Sequence, residues 1–288
     1  MELRSSGLGA AAISYDPREV LADFSSRRGI TFPLLSDVDS AVIKDFGILN
    51  TVVAEGLGPE RKDPVVAADV ATYVAESGSD RGWVGIPFPG TFLLDSKGRV
   101  ASRSFEEYYR ERITTSNVLL KIGQGLSPVE ATETTTAHLK LTAYPSNWNV
   151  STGARISVAV EVTPDPDIHV YAPGAEAMGY RVVGLRLAAI PHLRFDDPVD
   201  YPESEIYHFK PLDERVPVYQ RPFTLLQDLV VGATWRAESA LAGVKVLTLT
   251  GSFDYQACDH EVCFPPESVP LSFALDLESH DTRRAKGR

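Results

Sequence analysis

The spacing of apolar residues changes period partway along the chain. Up to about residue 123, short apolar runs alternate with stretches of helical spacing. "AAISYD" is an apolar run ending in a turn residue, and "DPREVLADFSSRRG" sets Pro17 in the first turn of a helix and Gly29 at its stop. Together they predict a βα unit. A strand in "TFPLLSD", a helical stretch in "SAVIKDFGI" and an inserted helix in "DPVVAADVATYVAESGS" follow. "TFLLDSKGRVASRSF" predicts two strands joined by the Gly-containing turn "DSKG", and "EEYYRERITTSNVLLKIGQG" after it is helix-like.

Residues 124–137, "QGLSPVEATETTTA", are small, polar and aperiodic, which predicts a linker. Beyond it the period is two. "ARISVAVEV" places Ile156, Val158, Val160 and Val162 on one face, and "RVVGLRLAAI", "PFTLLQDLVV" and "KVLTLTGSFDY" repeat the strand pattern between Pro- and Gly-rich breaks. This predicts an antiparallel sandwich over 138–278. The end, "ESHDTRRAKGR", lacks periodicity, so 279–288 is expected to be a disordered tail.

Length supports this division, since 288 residues exceed the usual size of one domain. A net charge of -11 opposes phosphate-backbone binding, so no nucleic-acid partner is expected. No apolar run approaches the roughly 18 residues of a membrane span, so no integral membrane segment is expected. The opening "MELRSSGLGAAAISYD" lacks the apolar core of a secretory signal. Neither a G-x-S-x-G nucleophile elbow nor a phosphate-cradling glycine loop occurs; "GLGPERKD" lacks the Gly-Lys-Ser/Thr ending and the strand-to-helix context.

The chemistry concentrates in "YQACDHEVCFPP", which holds Cys258 and Cys263, the only two cysteines. Strand-like alternation on both sides (Leu247, Leu249, Phe253 and Tyr255 before; Leu271, Phe273, Leu275 and Leu277 after) predicts a hairpin with "DHEV" as its four-residue tip. Opposed residues there lie within disulfide reach. As a staple such a bond is poorly placed: a ring of about six residues stabilises by roughly 2 kcal/mol, a bond across about a hundred residues by about 5 kcal/mol. Asp259, Glu261 and Glu267 would raise a nearby thiol pKa, which suits a disulfide awaiting attack better than a free nucleophile. The competing arrangement is a metal site, because Cys258, His260 and Cys263 form Cys-x-His-x2-Cys. Structural zinc takes four ligands, and His138, His169, His192, His208 and His280 are scattered singly, so neither metal nor cofactor is expected.

"AAISYDPREVLADFSSRRGITFPLLSDVDSAVIKDFGI", with "GIPFPGTFLLDSKGRV" downstream, resembles the AhpC/TSA redoxin branch of the thioredoxin-like fold over residues 5–122. The resemblance makes Pro89 the candidate for the proline that is cis in that fold and borders its active site; otherwise it is a loop-breaking proline before an edge strand. Family members carry a peroxidatic cysteine in Pro-x3-Thr-x2-Cys, or a Cys-x2-Cys pair, on a first helix, and Met1 falls after that helix has begun. With no cysteine before Cys258, this domain lacks the thiolate that peroxidase chemistry requires. The family's first strand would lie between "AAISYD" and "TFLLD", so its absence predicts a central gap with unpaired backbone groups. An upstream extension of the natural product, another chain, or marginal stability of the half-domain would each answer that gap.

"IHVYAPG", "YPESEIYHFKPLDERVPVYQRPF" and above all "LTGSFDYQACDHEVCFPPESVPLSF" resemble the N-terminal periplasmic domain of DsbD-type thiol:disulfide interchange proteins, an immunoglobulin-like sandwich, over 138–277. That resemblance implies electron transfer between the cysteine pair and thioredoxin-like partners. It makes Cys263 the residue that forms the mixed disulfide and Cys258 the one that resolves it. A cap loop shields the pair in that family; "DIHVYAP" occupies the matching region with His169 and Tyr171, and Tyr255 and Phe264 flank the cysteines. His169 and Tyr171 read equally as strand residues packing at a sheet edge. The expectation is thus a truncated α/β thioredoxin-like domain over 1–123, a linker, and an immunoglobulin-like sandwich over 138–278. Its function would be thiol:disulfide exchange with a thioredoxin-like redox protein, in a periplasmic or other extracytoplasmic compartment by family, with the cytoplasm left open because no signal peptide is read in this chain. The alternative is a non-catalytic interaction or scaffold protein with a structural hairpin disulfide and an inactive redoxin domain.

Overall fold

Pro17 has no N–H to leave unsatisfied, and Gly29 accepts a left-handed conformation at φ 62°, so helix α2 (Arg18–Arg28) starts and stops where these two residues allow. The computed structural model describes residues 2–50, 87–106, 111–124, 130–195, 197–209, 213–232 and 234–278, with a few single positions between 51 and 86. The inserted helix expected in "DPVVAADVATYVAESGS" and the tail at 279–288 lie outside the described residues, apart from those single positions. The chain divides into two compact units, one drawn mainly from 1–115 and one from 116–232 with 243–278.

The first unit opens with α1 (Glu2–Ser5). Strands β1 (Ala12–Ser14) and β2 (Leu34–Ser36) flank α2 and pair in parallel, with Ile13 opposite Leu35, which completes the expected βα unit and its following strand. Helix α3 (Ala41–Asp45) comes next, its start held by Asp37, whose carboxylate accepts from the Ala41 and Ile43 N–H groups. Strands β3 (Gly90–Leu94) and β4 (Val100–Phe105) form the expected hairpin, and Asp95 closes its turn by accepting from the Lys97 and Arg99 N–H groups. Among the described residues β1 pairs only with β2 and β3 only with β4.

Two sequence expectations differ from the structure before the second unit is reached. No cis peptide bond occurs among the described residues, so the Phe88–Pro89 bond is trans. Trans is the lower-energy form of an X-Pro bond by about 0.5–1 kcal/mol, and Pro89 simply leads into β3, its carbonyl accepting from the Glu106 N–H at 2.9 Å. Of the helix expected from "EEYYRERITTSNVLLKIGQG", 107–110 and 125 lie outside the described residues, and the described part holds α4 (Thr115–Lys121) behind a two-residue strand β5 (Arg112–Ile113). Ile113, Thr114 and Thr115 are β-branched in succession, which disfavours a helix interior.

Helix α4 is anchored on the second unit rather than the first. Asn117 is fully buried and its amide donates to Ser157 Oγ at 2.7 Å; Ser157 Oγ donates to Asp228 Oδ1 at 2.5 Å, and Lys121 Nζ meets Asp228 Oδ2 at 2.5 Å. The boundary therefore falls near 115, not 123. Nor is 124–137 all linker: β6 (Thr132–Thr135) pairs with β7 (Leu139–Pro145), because "TETT" alternates β-branched residues that suit a half-buried edge.

The second unit is β-rich. One sheet contains β12 (Leu193–Arg194), β15 (Phe223–Val231), β9 (Ala154–Pro164), β7 and β6 in that order; a second contains β11 (Gly184–Leu187), β16 (Val246–Tyr255), β18 (Glu267–Glu278) and β8 (Asn149–Ser151). The face read from sequence is real: Ile156, Val158 and Val160 are 0% exposed. The long ladders of the described residues run antiparallel, whereas β8 with β18 run parallel, a departure from the purely antiparallel expectation. Gly251 is required in β16, since a Cβ there would stand 2.3 Å from the Arg186 carbonyl oxygen. A third sheet, β13 (Glu205–Phe209), β14 (Glu214–Tyr219), β10 (His169–Tyr171) and β17 (Ala257–Cys258), carries the cysteines.

Candidate functional site: a hairpin disulfide

The β16–β18 ladder runs from Val246 opposite Asp276 to Tyr255 opposite Glu267. At Gln256 the chain leaves it, and β17 pairs instead with β10, placing Cys258 opposite His169 and Ala257 opposite Val170. The tip closes on itself. Asp259 Oδ1 accepts from the Glu261 and Val262 N–H groups, both at 2.7 Å, and the Asp259 N–H donates to the Val262 carbonyl at 3.0 Å. Those backbone donors, Val262 first and then Glu261, hold the Asp259 carboxyl below the usual carboxylate range. Cys258 and Cys263 stand opposite each other, Cα atoms 4.1 Å apart, joined as a disulfide. The returning arm is fastened at Phe264, whose N–H donates to the Ala257 carbonyl at 2.9 Å and whose carbonyl accepts from Gln256 Nε2 at 3.0 Å.

The two halves of the bond have opposite environments. Cys258 is 1% exposed, in a cluster with Tyr171, Ala175, Val216 and Val218, whereas Cys263 lies on the surface. Displacement at sulfur needs the attacking thiolate in line with the bond that breaks, and Cys263 is the residue of the pair that reaches the surface.

Tyr171 lies over the bond, its hydroxyl oxygen 3.3 Å from the Sγ of Cys258 and 3.3 Å from that of Cys263. A disulfide sulfur carries no proton, so the hydroxyl is the donor. Its ring is stacked on Tyr180 at 4.2 Å, and the Tyr180 hydroxyl donates to Glu214 Oε2 at 2.6 Å. The backbone is fixed as well, the Tyr171 carbonyl accepting from the Val183 N–H at 2.8 Å. Burial, with Tyr180, Glu214 and Tyr207 adding to it, pushes the Tyr171 phenol well above its ordinary pKa, so it stays protonated. His169 is 3% exposed, edge-on to Tyr171 and packed against Tyr207 at 4.5 Å. Burial pushes the His169 pKa down, with Asp259 opposing.

Of the residues singled out from sequence, Cys258, Cys263, His169, Tyr171 and Phe264 come together. Tyr255 turns its hydroxyl to Thr136 Oγ1 at 2.8 Å, and burial pushes its pKa up to about 12. Pro89 sits in the first unit. Tyr180, Tyr207 and His138 were not foreseen at the site. His138 stacks on Phe264 at 4.1 Å and lies 3.7 Å from Glu267, so it braces the arm that carries Cys263. Only the alternation in "EIYHF" could have flagged Tyr207; nothing local marks Tyr180 or His138. With the two sulfurs bonded to each other neither is a thiolate ligand, and no group of three or more His, Cys, Asp or Glu among the described residues could hold a metal.

The molecule thus joins an N-terminal α/β redoxin region to a β-rich region bearing a hairpin disulfide. Residues 1–103 match the AhpC/TSA family. Two solved structures are similar in part. The N-terminal domain of DsbD from Neisseria meningitidis, in its reduced form, is 14% identical with a TM-score of 0.29, over 42% of this chain and 78% of that one. The N-terminal periplasmic domain of ScsB from Proteus mirabilis is 14% identical with a TM-score of 0.33, over 50% of this chain and 49% of that one, so the chain spans about half the length of that structure. No curated protein matches.

Proposed function

We propose that the second unit is an immunoglobulin-like sandwich whose Cys258–Cys263 disulfide exchanges with a thioredoxin-like partner. The carrying observation is the asymmetry of the bond: Cys258 at 1% exposure and Cys263 on the surface. In the reducing direction a partner thiolate attacks Cys263 Sγ, a partner–Cys263 bond forms, the Cys258–Cys263 bond breaks, and Cys258 leaves with the electron pair. The partner's second thiol then displaces Cys263, so two electrons and two protons reach the pair and the partner departs oxidised. In reverse, Cys263 attacks the partner's disulfide and Cys258 resolves the mixed bond. The "QACDHEVCFPP" resemblance supports a thioredoxin-like partner, and the disulfide itself suits an oxidising, extracytoplasmic compartment.

The test is equilibration of the full chain in glutathione redox buffers, with thiols counted by mass spectrometry. The expected result is reversible gain of two thiols at a potential above about -300 mV, because the small ring adds little to folding stability. A bond that stays oxidised throughout would leave the scaffold alternative in its place.

A further inference from the structure

Tyr171 does more than cover the sulfurs. Once Cys258 leaves, its sulfur is a thiolate in a pocket with 1% exposure, where water cannot solvate it. Among the described residues, the hydroxyl set beside that atom is that of Tyr171, at 3.3 Å, and the Tyr180 stack and the Tyr180–Glu214 hydrogen bond hold it there. We propose that Tyr171 is a catalytic residue of the exchange: its hydroxyl swings from a shared position between the two sulfurs to a full hydrogen bond on the departing Cys258 thiolate. This rests on the exchange reading above. The atoms balance without proton transfer from tyrosine. The partner–Cys263 bond replaces the Cys258–Cys263 bond, the electron pair stays on Cys258 Sγ, and the phenol keeps its proton while donating.

The same contact acts in both directions. A hydrogen bond to the thiolate makes Cys258 a better leaving group when the bond opens and keeps it ionised to resolve the mixed disulfide when it closes. An uncharged disulfide sulfur is a weak acceptor and a thiolate a strong one, so little of this interaction is spent on the intact bond and the gain appears as the charge develops.

The test compares the wild-type chain with Tyr171→Phe, which keeps the ring and its stack but removes the donor. Reduction of the oxidised proteins by glutathione is followed by thiol release, and the reduced proteins are titrated by thiolate absorbance. Tyr171→Phe should be reduced roughly tenfold more slowly, and its thiolate signal should appear at higher pH. Tyr219→Phe, on β14 of the same sheet, loses a hydroxyl that donates to the Pro202 carbonyl and should match wild type. Tyr180→Phe, which frees the stack from Glu214, should be slower than wild type but faster than Tyr171→Phe, and covers the case in which Tyr171→Phe does not fold. Wild-type rates in Tyr171→Phe, or in Tyr180→Phe if only that variant folds, would overturn the role of the hydroxyl while leaving exchange intact. A wild-type disulfide that glutathione cannot open would overturn the exchange reading and this inference together.

Discussion

Two cross-strand pairs, one from each unit, show how differently the same local pattern is used. Ile13 and Leu35 face each other across β1 and β2, and they stand 41% and 48% exposed. Leu249 and Phe273 face each other across β16 and β18, and both are 0% exposed. Phe24, Phe32 and Phe105 extend the open apolar surface of the first unit. Apolar area left in water contributes none of the roughly 25 cal/mol per Å² that burial yields. The disulfide lies in the unit whose strands are covered, and there is a physical reason for that: a sulfur can be held at 1% exposure beside a fixed hydroxyl only where the surrounding ladders are themselves anchored.

The sharpest way to break this comparison is a matched pair of truncations. Phe273→Ala should lower the stability of the second unit by about 3–5 kcal/mol, whereas Leu35→Ala should change the first by about 0.5 kcal/mol or less. Denaturant unfolding of the full chain, read as midpoint shifts, measures both. Comparable losses at the two positions would mean that Leu35 is covered in solution and that the contrast between the units is wrong.

A smaller effect sharpens the account of the covered unit. His169 has a folded pKa below its ordinary value of about 6.5, so the unfolded chain takes up the proton more readily. Stability is therefore full above that pH and falls as the pH drops below it, levelling off once the folded protein is protonated too. Replacing His169 with Phe, which keeps a ring against Tyr207, should flatten the slope of stability between about pH 7 and 5. The depressed Asp259 acts at lower pH, with a loss confined to the range below about 4. An unchanged slope in His169→Phe would show that the ring is not desolvated.

Much of this was legible in the sequence because it is local. Pro17 and Gly29 bracket α2, "DSKG" turns β3 into β4, and the alternation of "ARISVAVEV" marks β9. The cysteine hairpin was legible for the same reason: spacing and flanks put Cys258 and Cys263 within disulfide reach, and the structure joins them. What escaped depends on contacts distant in sequence. The seat of α4 is decided by Asn117, Ser157 and Asp228, which span 111 positions, and no periodicity reports a buried polar cluster. The transfer of β17 from the ladder of β16 to that of β10 is equally invisible locally, although it is what buries one sulfur and exposes the other. Tyr180 acts through its ring on Tyr171 and its hydroxyl on Glu214, and neither partner is a neighbour in sequence.

The most direct measurement is trapping of a mixed disulfide. With Cys258→Ala, the exposed Cys263 should accumulate a covalent adduct with a thioredoxin-like protein whose resolving cysteine has been removed, visible as a mass shift that reductant reverses. With Cys263→Ala, the remaining Cys258 is buried and should trap far less. An adduct on Cys263 alone is the predicted result; equal trapping on both cysteines, or on neither, would contradict the account.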